Sequence, residues 1–245
     1  ENSTSSFTQQ YESSSSSVSS NFYSKYVINK SSFLSSISVK KYGNLKMGKF
    51  RMHGYEDWGL SNFATNENEQ LFGKYSQYDL VQKMRIPINY TSTLRFNTQF
   101  STTSNINRFD KLNDESNGGP KYMFWYYGPQ KRFLQSLNFN KKTNSFFADN
   151  CKISINYQLI KESRHTQKYS EEYLRNRTEL INIYETKLDI NKEFDKLELS
   201  YGFSNRYENL NSSAIKTNET GDTEFSSTRY PDNGSSDNTL SSYIH

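Results

Sequence analysis

The chain has almost no cysteine. One thiol, Cys151, among 245 residues excludes an internal disulfide framework and any Cys-rich zinc site. Long apolar runs are missing too. No stretch of about 18 apolar residues occurs, so no helix is expected to cross a membrane. The Gly-x-Gly-x-x-Gly and Walker-type phosphate loops are absent, as are His-Glu-x-x-His and Gly-x-Ser-x-Gly. Glu162, His165, Glu171 and Glu172 supply acid–base groups without a nucleophile motif beside them. The chain is therefore read as a non-enzyme, with no cofactor and no metal site. With only three His in all, a zinc hydrolase site is not expected. A net charge of +4, with Lys and Arg spread along the sequence, lacks the dense basic block that nucleic acid requires. The first residues, ENSTSSFTQQ, show neither a charged start nor an apolar stretch, which leads us to read the chain as an internal fragment.

Aromatics are what the chain does have. Hydrophobic residues make up only 33%, yet 19 Tyr and 17 Phe bring aromatics to 16%. A soluble core of this size normally holds more Leu, Val, Ile and Ala, whereas disordered chains are poor in aromatics. A transmembrane β-barrel reconciles the two. Its strands show apolar residues to lipid at every second position, its lumen is polar, and aromatics gather at both interfaces.

Period-two alternation supports strands. Ile153, Ile155, Tyr157 and Leu159 alternate with Ser154, Asn156 and Gln158; Leu197, Leu199, Tyr201 and Phe203 alternate with Glu198, Ser200 and Gly202. Strands are expected near 4–12, 19–28, 32–41, 77–86, 92–102, 131–140, 150–161, 177–189 and 196–208. Short links near 29–31, 87–91, 141–148 and 190–195 alternate with longer segments at 42–77, 103–130, 162–176 and after Tyr207. Outer-membrane barrels sort their connections in this way, with tight periplasmic turns and longer extracellular loops. Residues 1–20 and 209–245, rich in Ser, Asn, Asp and Thr, read in isolation as flexible coil. The expected fold is all-β, an antiparallel transmembrane β-barrel segment of about nine or ten strands occupying residues 1–245.

Three segments carry a family resemblance. Tyr42-Gly-Asn-Leu-Lys-Met-Gly-Lys-Phe-Arg-Met-His-Gly-Tyr-Glu-Asp-Trp58-Gly is similar to a strand ending in aromatic-Gly-Asp-Leu-Arg-Met-Gly, followed by His-Gly-Tyr and an acidic-aromatic pair. Phe124-Trp-Tyr-Tyr-Gly-Pro-Gln-Lys-Arg-Phe-Leu134 is similar to Trp-Tyr-Tyr-Gly-Pro-Gln with a basic lead into a strand. Asn156-Tyr-Gln-Leu-Ile-Lys-Glu-Ser-Arg-His165 is similar to a strand that ends in Glu-Ser-Arg, and Asn107-Arg-Phe-Asp-Lys-Leu112 fits a loop after a barrel strand. In this order they resemble the TonB-dependent outer-membrane receptors, in the haem and siderophore branch, over roughly residues 20 to 208. The resemblance implies a plugged barrel of about 22 strands in the outer membrane of a Gram-negative bacterium. It implies uptake of an iron complex, siderophore or haem, energised by TonB through a plug domain that would precede Glu1. Further strands would follow His245. Lipid and lipopolysaccharide would surround the wall.

Within that frame His53, beside Arg51, Tyr55 and Trp58, is a candidate for ligand contact: imidazole and phenolate can both serve as axial haem ligands, and Arg51 could pair with a propionate. The competing reading is a motif that folds the base of the loop. Trp125, Tyr126 and Tyr127 could stack on a planar or sugar-like ligand, and more commonly such residues form the aromatic girdle. Lys131, Arg132, Arg164 and Lys168 would sit on the rim, either attracting anionic lipid or a ferric chelate or simply solvated. Two other readings stay open: oligosaccharide or peptide as cargo for the same family, and a surface all-β adhesive domain.

Overall fold

A computed structural model describes residues 3–48, 63–231 and 234–245. The architecture is all-β. In chain order the strands and one short helix are β1 (Thr4–Glu12), β2 (Ser17–Ile28), β3 (Ser31–Tyr42), β4 (Thr65–Asn66), β5 (Glu69–Gln70), β6 (Tyr75–Pro87), β7 (Ser92–Thr103), β8 (Ile106–Asn107), α1 (Phe109–Leu112), β9 (Glu115–Ser116), β10 (Gly119–Pro120), β11 (Tyr122–Lys142), β12 (Asn150–Lys168), β13 (Leu174–Phe194), β14 (Leu197–Thr217), β15 (Thr223–Phe225) and β16 (Ser235–Ile244).

Ten long strands pair with their neighbours in sequence, in the order β1-β2-β3-β6-β7-β11-β12-β13-β14-β16, and every pairing is antiparallel. This up-and-down meander leaves β1 and β16 as the edges of one sheet. On one side the links are all tight, at 29–30, 88–91, 143–149 and 195–196. Asn29 supplies the positive φ of 55° for the two-residue turn. On the opposite side run the long connections 43–74, 104–121 and 218–234, together with two short links, 13–16 and 169–173. They contain the small hairpins β4–β5 and β9–β10, and α1. Asn117 and Gly118, both at positive φ, close the second of these hairpins.

The first five expected strands match to within two residues. The later ones run longer. β11 begins at Tyr122 and β12 continues to Lys168, so much of what reads as loop at 103–130 and 162–176 is ladder. Polar residues rich in Ser, Thr and Arg can sit in strands that extend past an apolar layer, because no burial is asked of them there. The C-terminal coil is also a strand in part: β16 pairs with β14 from Ser235 to Ile244.

Directly opposed residues share a face of the sheet, so the register traces rows across it. One row runs Phe7, Phe22, Ile37, Leu80, Phe100, Phe133, Leu159, Asn182, Asn209. Two strand positions further runs Ser5, Ser24, Ser35, Gln82, Thr98, Gln135, Tyr157, Tyr184, Tyr207. The third is Tyr26, Phe33, Met84, Phe96, Leu137, Ile155, Thr186, Asn205, Leu240, and the fourth holds Ile86, Leu94, Phe139, Ile153, Leu188, Phe203. None of these four rows carries a charge. Lysines return at their borders, with Lys131 opposite Lys161 at one end and Lys141 at the other. The interleaved residues on the reverse face include Lys25, Lys83, Arg85, Arg95, Glu185, Lys187, Arg206, Glu208 and Asp237. Charge is thus sorted by face, row by row.

The apolar face is open. Phe7 is 65% exposed, Phe22 46%, Ile37 50%, Leu80 38% and Ile155 50%. The buried residues Ser154, Ile183, Ser212 and Ala214 all lie on the charged face, which is the more enclosed one. From Leu80 to Ile86 the charge-free rows span about 20 Å along the strand at ~3.3 Å per residue. Ten strands spaced by ~4.8 Å make the band about 43 Å wide. The polar row inside it is self-satisfied pair by pair. Ser5 Oγ meets Ser24 Oγ at 2.9 Å, Ser35 donates to Gln82 at 2.5 Å, and Thr98 donates to Gln135 at 2.6 Å. Its tyrosines meet in sequence, Tyr157 tilted against Tyr184 at 5.0 Å and Tyr184 stacked on Tyr207 at 6.4 Å, and Tyr157 donates to Asn182 Oδ1 at 2.9 Å.

Candidate functional site, an aromatic and arginine platform

Above the apolar band, on the side of the long connections, β11 and β12 continue as a two-stranded ladder. A register shift between Gly128 and Lys131 re-aims the side chains there. Trp125 lies opposite Thr166, Tyr126 opposite His165, and Tyr127 opposite Arg164. The three neighbours are therefore split. Trp125, Tyr127 and Arg164 continue the charged face, while Tyr126 and His165 continue the apolar one. The three aromatics do not share one face; Tyr126 alone continues the apolar one.

On the charged face Trp125 is 8% exposed, the most enclosed aromatic side chain among the described residues. Its ring meets Tyr127 edge-on at 5.2 Å. The Arg108 guanidinium carbon stands 4.9 Å over Trp125 and 5.8 Å over Tyr127, and Arg164 approaches Trp125 at 6.0 Å. Arg108 reaches this position because β8 adds to β11, with Ile106 opposite Tyr127, and because its own N–H donates to the Trp125 carbonyl at 2.9 Å. Its side chain donates from Nε and Nη2 to both Asp110 oxygens, at 2.7 and 2.6 Å, and from Nη1 to the Tyr127 hydroxyl at 3.1 Å. The bidentate pair holds the Arg108 guanidinium above its ordinary pKa. The same hydrogen bonds hold the Asp110 carboxyl below its own.

Beside this platform Tyr127, Glu162, Arg164, Glu179, Arg229 and Tyr230 line a cavity of about 580 Å³, large enough for a drug-sized ligand. Arg164 faces Arg177 across the β12–β13 pair, and Glu162 faces Glu179 one step on. The cavity thus offers aromatic faces, guanidinium donors and carboxylate acceptors together. On the other face Tyr126 stacks on His165 at 4.6 Å and 13°, and the imidazole is held from both nitrogens by Asn176 and Ser163, at 2.5 and 3.0 Å. That imidazole is fully engaged.

Of the residues singled out from sequence, Trp125, Tyr127 and Arg164 come together here. Lys131 turns to the border of the apolar face, Arg132 to the charged face, and Lys168 pairs with Glu171 at 2.7 Å. Arg51, His53, Tyr55 and Trp58 lie outside the described residues. Arg108 and Asp110 were within a segment that resembles a loop of the family, but nothing in their spacing announced the stack, which depends on β8 folding back onto β11. Among the described residues no group of three His, Cys, Asp or Glu is placed to hold a metal, and no helix is long and apolar enough to cross a membrane. No family model matches the chain, and no curated protein matches it.

Proposed function

We propose that this chain is a wall segment of an outer-membrane β-barrel receptor that takes up an iron complex with energy from TonB. The carrying observation is the sorting of charge: four successive rows of an up-and-down sheet are charge-free and open on one face, while the interleaved positions are ionic. The lysines at the borders of that band stand where a bilayer's apolar layer would give way to headgroups and water. The three longest connections, 43–74, 104–121 and 218–234, all fall at one end, as extracellular loops do in such barrels, although 13–16 and 169–173 at that end are short. The Trp125 platform and its cavity lie at the long-connection end, where cargo would be captured before entering the lumen. Ferric siderophore or haem is the cargo implied by the sequence resemblance. The same aromatic faces suit oligosaccharide, which is the second reading.

The test is refolding of the chain into detergent micelles and then lipid vesicles that contain brominated acyl chains, with Trp125 as the reporter in a Trp58→Phe background. Insertion predicts β-sheet circular dichroism together with carbonate-resistant association, with the bromines quenching an added Ile155→Trp reporter on the apolar face but not Trp125 on the charged one. A monodisperse β-protein in plain buffer that ignores vesicles would overturn the membrane reading. Titration with ferric complexes and with oligosaccharides, read by Trp125, separates the two cargo classes.

A further inference from the structure

The charged face holds a second concavity, well below the platform and toward the tight turns. Lys25, Lys83, Arg85 and Arg95 line it with Asn97 and Asn138, over a partly apolar wall that includes Phe33, Leu34, Met84 and Phe96, around a volume of about 360 Å³. The register places these groups closely. Arg85 and Arg95 are direct cross-strand partners, with β-carbons about 5 Å apart, and Lys83 is two positions from Arg85 on the same face. Lys25 joins through Leu34, which pairs with both Lys25 and Lys83.

Like charges set directly opposite in a ladder are unfavourable unless something neutralises them. Elsewhere on this face several cations have acids in reach. Lys40 pairs with Asp79 at 3.2 Å, Lys187 with Asp189 at 3.2 Å, and Arg206 with Glu208. Among the described residues, the four cations of the concavity make no ion pair. The only acid that β2, β3, β6 and β7 turn to this face beyond the tight-turn half is Asp79, already engaged by Lys40 and by Ser101 at 2.6 Å. The amides of Asn97 and Asn138 add neutral donors and no charge.

We propose that this concavity is a binding site for a small, multiply charged oxyanion, a polycarboxylate or a phosphate. Two guanidinium groups on adjacent strands present parallel N–H donors of the kind that grip such oxygens in pairs, and the two ammonium groups supply further charge. The volume suits a small anion and not a folded domain. The site needs only that the charged face meet water. It does not rest on the membrane reading or on the identity of the iron cargo.

The test is calorimetric titration of the full chain, in whichever medium keeps it monodisperse, with citrate and with pyrophosphate in turn. Wild type is expected to bind at least one of them, more weakly as NaCl rises. The Arg85→Gln/Arg95→Gln double variant should bind at least tenfold more weakly, and Arg132→Gln, on the same face but outside the concavity, should bind as wild type does. Citrate alone points to a polycarboxylate, pyrophosphate alone to a phosphate. A second readout covers loss of folding in the variant. With the repulsion removed, the double variant should melt higher than wild type without anion, and anion should raise the wild-type Tm but not the variant's. Equal binding by wild type and double variant, or no binding by wild type, overturns the proposal. Vesicle insertion can succeed or fail independently of either result.

Discussion

The Arg108 guanidinium lies 4.9 Å above the Trp125 ring while both of its Asp110 hydrogen bonds stay in place, so one side chain ties the 104–121 connection to the β11 ladder. Cation–π contact and bidentate pairing want the same planar group, which lysine cannot supply. Arg108→Ala is expected to cost about 1–2 kcal/mol of local stability, the scale of one partly desolvated cation–π contact. Arg108→Lys should recover less than half of it. Denaturant titration followed by Trp125 emission, in the Trp58→Phe background, checks both; equal stability of the lysine variant and wild type would show that only charge matters.

Gly128 stands where a β-carbon would press on Ser163 Oγ and come within 2.5 Å of His165 Nε2. His165 cannot withdraw freely, because Tyr126 covers its ring and Asn176 holds Nδ1. Gly128→Ala should therefore destabilise the upper β11–β12 ladder by about 1–3 kcal/mol, as overpacking does. Adding Ser163→Ala should restore part of the loss, since it removes one of the two obstructing atoms. Melting temperatures of the single and double variants form the measurement. A neutral Gly128→Ala would mean that the strand simply shifts aside.

Much of the sheet was legible in sequence because period-two alternation is strong where one face is apolar. Phe96, Leu94 and Phe100 announced β7, and Ile153 through Leu159 announced the lower half of β12. Legibility ends where alternation stops carrying hydrophobic content. Residues 162–168 and 235–244 are strands held by ladder hydrogen bonds rather than by an apolar stripe, and their polar residues gave the appearance of loop, while 122–130 is aromatic on both faces and broken by Gly128-Pro129, so it shows no alternation. The platform was half legible. Trp125, Tyr127 and Arg164 stood out as chemistry, but the partner that orders them, Arg108, arrives from a connection whose path no local pattern encodes. The separation of Tyr126 from its neighbours follows from strand parity, yet only the register shift near Gly128 decides which face each ring takes.

Ile155 and Asn156 are neighbours in β12 on opposite faces, and they separate the membrane reading from a soluble one. Ile155 is 50% exposed in a charge-free row, whereas Asn156 donates to Glu185 Oε2 at 3.1 Å on the ionic face. If lipid covers the apolar face, Ile155→Arg should cost about 2–4 kcal/mol in vesicles, the midplane value for a barrel strand. Asn156→Arg should stay within about 0.5 kcal/mol, since it meets Glu185 in an aqueous setting. In a soluble sheet both changes would be close to neutral. Folding yield into vesicles as a function of urea gives the comparison directly.

The Arg108–Asp110 pair makes the platform sensitive to acid, and the sign is set by the direction of the shift. The folded-state carboxyl of Asp110 is held below the ordinary aspartate value, first by its hydrogen bonds from Arg108. Its contribution is fully present above the unfolded pKa and is lost as pH falls through the depressed folded one. Between pH 7 and about 5 the Trp125 environment should not change; below about 4, the ordinary Asp range, it should begin to open. Emission of Trp125 in the Trp58→Phe background would then shift to the red as Arg108 leaves the ring. Asp110→Asn should show a smaller or absent acid step, and it should be less ordered at neutral pH because one bidentate partner is gone. Glu171, also held low by its hydrogen bond from Lys168, titrates in the same window at the β12–β13 hairpin and must be separated from it. Glu171→Gln is the control. If the acid step survives in Asp110→Asn and disappears in Glu171→Gln, the hairpin rather than the Arg108 stack is the part that acid releases.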